Sequence, residues 1–365
     1  MRVLFYIRDK EWSGAARAAL TVARGLASRE HTVTLACYAG SRLAREAGSA
    51  QIDIIEIGRS PLPLGDTLEL RNVIRDRFIE VAIVASERDH LLVGSAMRLA
   101  ERGGVLRRLS AFEPIDLRSG GKLALRLAAS GLVLSTEQEL KALKAPGWVI
   151  PAASAPIGID ASEYDGVEPA ARAQIGVHPQ ALLIACSYDP SGRHRMATVF
   201  RTLALLAPRH VNVHAVVFGP GSDDDDLRIH ASALGVGPVV TFLGERANER
   251  EVMCAANAGW VVSGRDDGAF ACLDFMALRV PVIAEGSTLT QHYVANGITG
   301  LLLAKADPAY TASRVAAFLI AEERRVGMGH AGRTRVQREF AQTPMIDGFE
   351  NAITTAGDPS KWMPR

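Results

Sequence analysis

Short apolar runs and helix-period segments alternate along this chain, and the alternation begins twice. Val3 to Ile7 is a compact apolar run. A polar loop follows, and GAARAALTVARGLASRE then sets Ala19, Leu20, Ala23 and Leu26 at helical spacing. HTVTLAC, IDIIEI, VAIVAS and GLVLST repeat the strand signal further on. Apolar strands separated by helices specify a parallel sheet with helices on both faces. The pattern restarts with ALLIACS, VNVHAVVFG, VVTFLG, AGWVVSG, VPVIAE and GLLLA, joined by helical stretches such as MATVFRTLALLA and REVMCAANA. The expected fold is therefore α/β, as two Rossmann-like domains facing each other across a cleft. Such sheets bind ligands outside the carboxyl ends of their strands, so the site is expected in that cleft.

Length agrees with two domains, since 365 residues exceed the size at which a single core keeps growing. The join is expected in GWVIPAASAPIG, residues 147–158, rich in Pro, Gly and Ala. This divides the chain into 1–152 and 153–344, with a helix at about 345–357 packing back on the first domain. A formal net charge of +1 argues against a nucleic-acid binder driven by bulk charge, so any bound anion must be met by local groups. Cys37, Cys186, Cys254 and Cys272 stand singly, without the spacing of a disulfide framework or a zinc site, which fits a reducing cytoplasm. MRVLFYIRDKEW reads as a first strand rather than a signal peptide, and no apolar run approaches the ~18 residues of a membrane span. Peripheral membrane contact through the arginines of the first half stays open.

The most informative segment is GRDDGAFACLDFMALRVPVIAEGS, residues 264–287. A strand ends at Gly264, RDDGAF reads as a loop, and ACLDFMALR as the next helix. Backbone N–H groups at such a helix start suit a diphosphate, which makes Gly268, Ala269 and Phe270 candidate substrate contacts. Asp274 can accept two hydrogen bonds from a vicinal diol such as a ribose, and Asp266, with Asp267 beside it, can meet sugar hydroxyls. The plain alternative for Asp274 is an acid stabilised by the helix dipole.

These residues resemble the donor-site signature of the GT-B fold, retaining glycosyltransferases of the family 4 type: a loop Glu, seven residues, a helical Glu, then Ala-Met-Ala and Val-Pro-Val. FMALRVPVIA, residues 275–284, matches the second half, while both glutamates are aspartates here. SGAARAALTVARGLASREHTVTLA is similar to the family's Gly-Gly loop and first helix, with Gly14 retained. APIGIDASEYDG, VTFLGERANEREVMCAANAGWVVSG and ANGITGLLL resemble later segments in the family's order. The resemblance implies transfer of a sugar from a nucleoside diphosphate sugar to an acceptor, with retained anomeric configuration and neither metal nor other cofactor.

Several family positions are changed. The Arg and Lys that meet the leaving diphosphate fall at Asp189 and His194, which leaves Arg193 and Arg195 as candidate catalytic cations. A first-domain His falls at Phe112, with Glu113 the nearest polar group; a Gly-Gly and Glu fall at Thr288, Leu289 and His292. Asp for Glu shortens each carboxylate's reach by ~1.5 Å, so the loop must sit closer or another acid must serve. The cluster GPGSDDDDLRIHASALG, residues 219–235, reads as a helix start capped by Ser222 and the aspartates rather than as a metal site. Two other readings stay open: a weak or inactive homologue serving as a scaffolding subunit, which needs no cation in the cleft, and a sugar-nucleotide epimerase of the same architecture.

Overall fold

The structure, a computed structural model, describes residues 1–50, 52–57, 63–112, 131–143, 151–206, 211–246, 248–304 and 307–357. The chain forms two compact units, one of residues 1–157 with 342–365 and the other of 158–341. The break falls at Ile157/Gly158 rather than at residue 152, because Ala152–Ser154 is a strand of the first sheet. The return to the first unit comes at Gln342, where a new helix begins.

In the first unit the strands are β1 (Arg2–Tyr6), β2 (Thr32–Tyr38), β3 (Asp53–Ile57), β4 (Val81–Val84), β5 (Gly104–Arg108), β6 (Gly131–Leu134) and β7 (Ala152–Ser154). They form a parallel sheet in the order β3-β2-β1-β4-β5-β6-β7. Helices α1 (Gly14–Ala27), α2 (Arg42–Ser49), α3 (Pro63–Asp76), α4 (Glu87–Leu99) and α5 (Glu137–Leu143) connect them. Ser13, Ser41 and Ser86 cap α1, α2 and α4, each hydroxyl accepting from the backbone N–H three residues on, which satisfies one orphan donor per helix.

The second unit has β8 (Leu182–Ser187), β9 (Val213–Phe218), β10 (Val240–Gly244), β11 (Ala258–Val261), β12 (Val282–Glu285) and β13 (Gly300–Leu303), parallel in the order β10-β9-β8-β11-β12-β13. Its helices are α6 (Arg193–Leu206), α7 (Asp225–Ala233), α8 (Glu249–Cys254), α9 (Arg265–Ala277), α10 (Thr288–Tyr293), α11 (Pro308–Ile320) and α12 (Glu322–Glu339). Trp260 of β11, 1% exposed, belongs to an apolar core that also contains Ile184, Phe200, Val217 and Ile283. Asp224, not Ser222, caps α7, its carboxylate accepting from Asp226 N at 3.0 Å.

The last helix, α13 (Gln342–Ala356), packs on β5, β6, β7 and α1 of the first unit. Two glycines make the approach close: a Cβ on Gly25 of α1 would collide with the Ile346 side chain, and one on Gly348 with the Ser154 carbonyl. Arg29 binds Asp347 at 2.6 Å and also Glu350, whose other oxygen lies 3.0 Å from His31.

Helices α1, α3, α4 and α9 end alike, with paired 6→1 and 5→2 bonds such as Ile79 N to Ile74 O (3.0 Å) and Phe78 N to Arg75 O (3.2 Å). The left-handed position that usually holds glycine is filled by Glu30, Phe78, Glu101 and Arg279, with φ from 53° to 65°.

Candidate active site

In the second unit, consecutive strands step one way from β8 to β10 and the other way from β11 to β13, so the order reverses between β8 and β11. Parallel α/β sheets bind ligands outside the carboxyl ends of the strands at such a point. Two segments meet there. Tyr188 to Gly192 leaves β8, and Val262 to Arg265 leaves β11.

Asp189 ties the two together. One carboxylate oxygen accepts from Ser191 N (2.6 Å), capping the short 3-10 helix Pro190–Gly192, and the other accepts from Gly264 N (2.9 Å). Gly192 lets the loops touch, since a Cβ there would run into the Val262 carbonyl. Gly264 is equally confined: its Cβ would lie 3.0 Å from Arg195 Nη2 and 3.1 Å from Ser191 Oγ. Arg265 then turns the chain into α9 with φ 46°, a left-handed conformation that an L side chain adopts at a cost.

Arg195 reaches this turn from the first turn of α6. Its Nε donates to the Val262 carbonyl (2.6 Å) and Nη1 lies 3.4 Å from His194 Nε2. Among the described residues it forms no ion pair, although it is half-buried. Arg193 behaves differently: its guanidinium binds Asp226 and lies 3.9 Å from Asp224, and that hydrogen bond raises its pKa. Of the two candidate cations, only Arg195 stands beside the α9 start.

The acids are not where a loop reading puts them. RDDGAF belongs to α9, because the first helical bond already runs from Gly268 N to Gly264 O (2.8 Å). Asp266 is therefore in the first turn and only 1% exposed, while Asp267 is half-exposed there. Gly268 packs on the strand end, its Cβ position 2.7 Å from the Ser263 carbonyl. Ala269 and Phe270 are buried in the second turn, where the helix's own ladder takes backbone N–H groups. The amides suited to an anion are therefore those of the first turn, not those around Phe270.

Asp274 lies eight residues beyond Asp266, more than two turns along, rather than one turn from a loop. Its carboxylate accepts from the Tyr164 hydroxyl, and the Arg250 guanidinium sits 4.3 Å from that ring's centroid. Nearby, Arg333 bridges Asp165 and the Ala277 carbonyl, each at 2.6 Å. Burial, with the Asp274 charge adding, pushes the neighbouring Cys272 thiol up to about 12.

Gly14, in the first unit, is the first residue of α1 and buried; Ser13 before it caps the helix and donates to Asp9. Phe112 has φ 55°, and its N–H donates to Glu139 (2.8 Å); Glu113 lies outside the described residues. His292 and Tyr293 stack edge to face at 4.8 Å, and burial, then Arg335, lowers the His292 pKa. Among the described residues no three His, Cys, Asp or Glu side chains are grouped to hold a metal ion.

Sequence reasoning treated Asp189 as a lost arginine and passed over Ser191, Gly192 and Ser263. The signal was present: Asp-Pro-Ser-Gly after a strand is the chemistry of a side-chain-capped turn.

Residues 191–335 match the family model for glycosyl transferases group 1. No curated protein matches the chain. Among solved structures, the chain is similar to a glycosyltransferase from Rickettsia africae ESF-5, with 14% identity, TM-score 0.77 and 97% of each chain covered. It is also similar to Anabaena HepE in complex with UDP and glucose, with 16% identity and TM-score 0.80 over 97% of this chain and 100% of that one. A third is the sucrose-phosphate synthase of Thermosynechococcus elongatus, with 16% identity and TM-score 0.71 over 97% and 98%. Two parallel sheets with helices, of seven and six strands, are the GT-B glycosyltransferase fold.

Proposed function

We propose, from the premise that residues 191–335 form a group 1 glycosyl transferase domain, that the chain transfers a sugar from a nucleoside diphosphate sugar to an acceptor hydroxyl with retained configuration. The observation that carries this reading is Arg195, a half-buried cation held by the Val262 carbonyl beside the first turn of α9 at the β8/β11 switch point. A scaffold needs no such cation.

Breaking the bond between the sugar's anomeric carbon and the diphosphate oxygen leaves negative charge on the diphosphate. The guanidinium and the positive end of α9 stabilise that charge more than the ground state, which is what lowers a barrier. The acceptor oxygen bonds to the anomeric carbon on the face the diphosphate leaves, and its proton passes to the departing phosphate oxygen. No separate protein base is then required, and the absence of a histidine at Phe112 is tolerated.

Uridine diphosphate sugars are the first donors to test, since UDP and UDP-glucose are bound in the Anabaena relative. At one hundred times its dissociation constant the donor adds ~2.7 kcal/mol to native stability, read as a raised unfolding temperature. Arg195→Ala is expected to cut turnover about 100-fold or more, whereas Arg193→Ala, which breaks a surface ion pair, leaves it within about two-fold. A chain stabilised by none of the nucleoside diphosphate sugars, or equal losses in the two variants, overturns the assignment.

A further inference from the structure

Glu285, the last residue of β12, is an acid that the donor chemistry above leaves unused. Ile283, two residues earlier, belongs to the same apolar core as Phe200 of α6, so Glu285, on the same side of the pleat, faces α6. Val261 pairs with Ala284, which brings Glu285 level with Val262, the residue whose carbonyl holds Arg195. Neighbouring strands lie ~4.8 Å apart, so Glu285 stands one strand over from the anchor of the guanidinium.

The side chain is held rather than loose. Its Oε1 accepts from the Thr198 hydroxyl at 2.9 Å. Thr198 follows Arg195 by three residues on α6, which makes the two neighbours on the helix surface. The backbone is fixed as well: the Thr290 hydroxyl donates to the Glu285 carbonyl (2.6 Å) and Gly286 N to the Leu303 carbonyl (2.8 Å). Among the described residues Glu285 forms no ion pair and its Oε2 has no hydrogen-bond partner, although the residue is half-buried. Asp189 differs, since both of its oxygens accept backbone N–H groups. A bond that merely fastened α6 to β12 would be served by an amide; a carboxylate adds a second acceptor and a negative charge. That charge works against the diphosphate itself. What it can favour is the uncharged part of a donor, the glycosyl group, whose hydroxyls need acceptors.

We infer that Glu285 is the specificity residue for the donor's sugar: Oε2 accepts from a hydroxyl of a neutral glycosyl group, and the charge excludes sugars that carry a carboxylate. The inference rests on the donor site proposed above. A uronic acid in that place would set two carboxylates together, which is repulsion built against the wrong donor.

The test is isothermal titration of the full chain with UDP, UDP-glucose and UDP-glucuronate; GDP, GDP-mannose and GDP-mannuronate replace them if guanine is the base bound. The wild type is expected to bind the neutral-sugar donor at least about ten-fold more tightly than the acidic one. Glu285→Gln keeps the bond from Thr198 through its amide oxygen while removing the charge. Its unfolding temperature should hold, its affinity for the bare nucleotide should not fall, and the ratio between the two donors should drop to about three-fold or less. Thr198→Val, which frees the carboxylate from its tether, should lower the ratio part of the way. The inference is overturned if the wild type does not discriminate between the two sugars, or if Glu285→Gln discriminates as the wild type does. Nucleotide binding that persists in either case confines the failure to Glu285, whereas a chain that binds no nucleoside diphosphate removes the donor site as well.

Discussion

Asp189 makes two hydrogen bonds with one side chain, capping a turn and fixing the amide from which α9 departs. Asp189→Ala is expected to destabilise the second unit by about 1–2 kcal/mol, measured by urea unfolding, while Asp189→Asn, which keeps one acceptor, falls between the two. Gly264→Ala tests the site more than the fold: its methyl enters at 3.0 Å from Arg195 Nη2 and should weaken donor binding in a titration. Thiol chemistry gives a further check. Burial pushes Cys186 and Cys272 up to about 12, so neither is expected to react with a disulfide reagent at pH 8 until the chain unfolds. At this scale the sequence pointed to candidate residues without disclosing their partners. Arg193 and Arg195 look equivalent in PSGRHRM, and only the acids at the start of α7 separate them. Nothing local to Asp274 announces Tyr164, which lies 110 residues away.

Helix ends carry the stability that this chain leaves unused. Left-handed geometry costs a non-glycine residue ~1–2 kcal/mol, against which glycine's extra unfolded-state freedom costs ~0.5–1 kcal/mol. Glu30→Gly, Glu101→Gly and Arg279→Gly should therefore each be stabilising, by up to about 1 kcal/mol, and additive because the sites are independent, as read by denaturant midpoints. Strands and long helices were legible from apolar runs and spacing, because burial on both faces leaves a continuous apolar signature. β5 and β7 were not. Arg107 and Arg108, 9% and 4% exposed, interrupt the apolar run of β5, and β7 is three small residues inside a stretch that reads as a linker. The start of α9 was misplaced because Gly-Ala-Phe imitates a turn, whereas tertiary packing carries the helix through it.

Acid should affect the two units differently. Burial lowers the pKa values of His214 and His292, both in the second unit. Their unfolded forms take up protons first, so the second unit loses stability as pH falls below ~6.5. Glu350 in the first unit is held below the usual carboxylate range by His31 and Arg29, so its contribution persists until pH falls below ~4.3 and toward the folded value. Asp89, raised by burial, acts in the opposite sense in that unit. Hydrogen exchange between pH 7.5 and 5.5 should show faster opening in residues 158–341 than in the first unit. Residues 158–341 are one uninterrupted stretch and are expected to fold and bind nucleotide when expressed alone, whereas a chain ending at residue 341 should lose the first unit's cooperative unfolding.

Gly25 and Gly348, by letting the final helix sink against α1 and β7 of the first-made unit, have a bearing on biosynthesis. A ribosome works from the amino end, yet the surface over β5 to β7 gains its cover only when residues 342 to 356 emerge. The half that is translated first is thus completed last, and a nascent chain cut short before residue 342 leaves an apolar flank bare for chaperones or proteases to recognise.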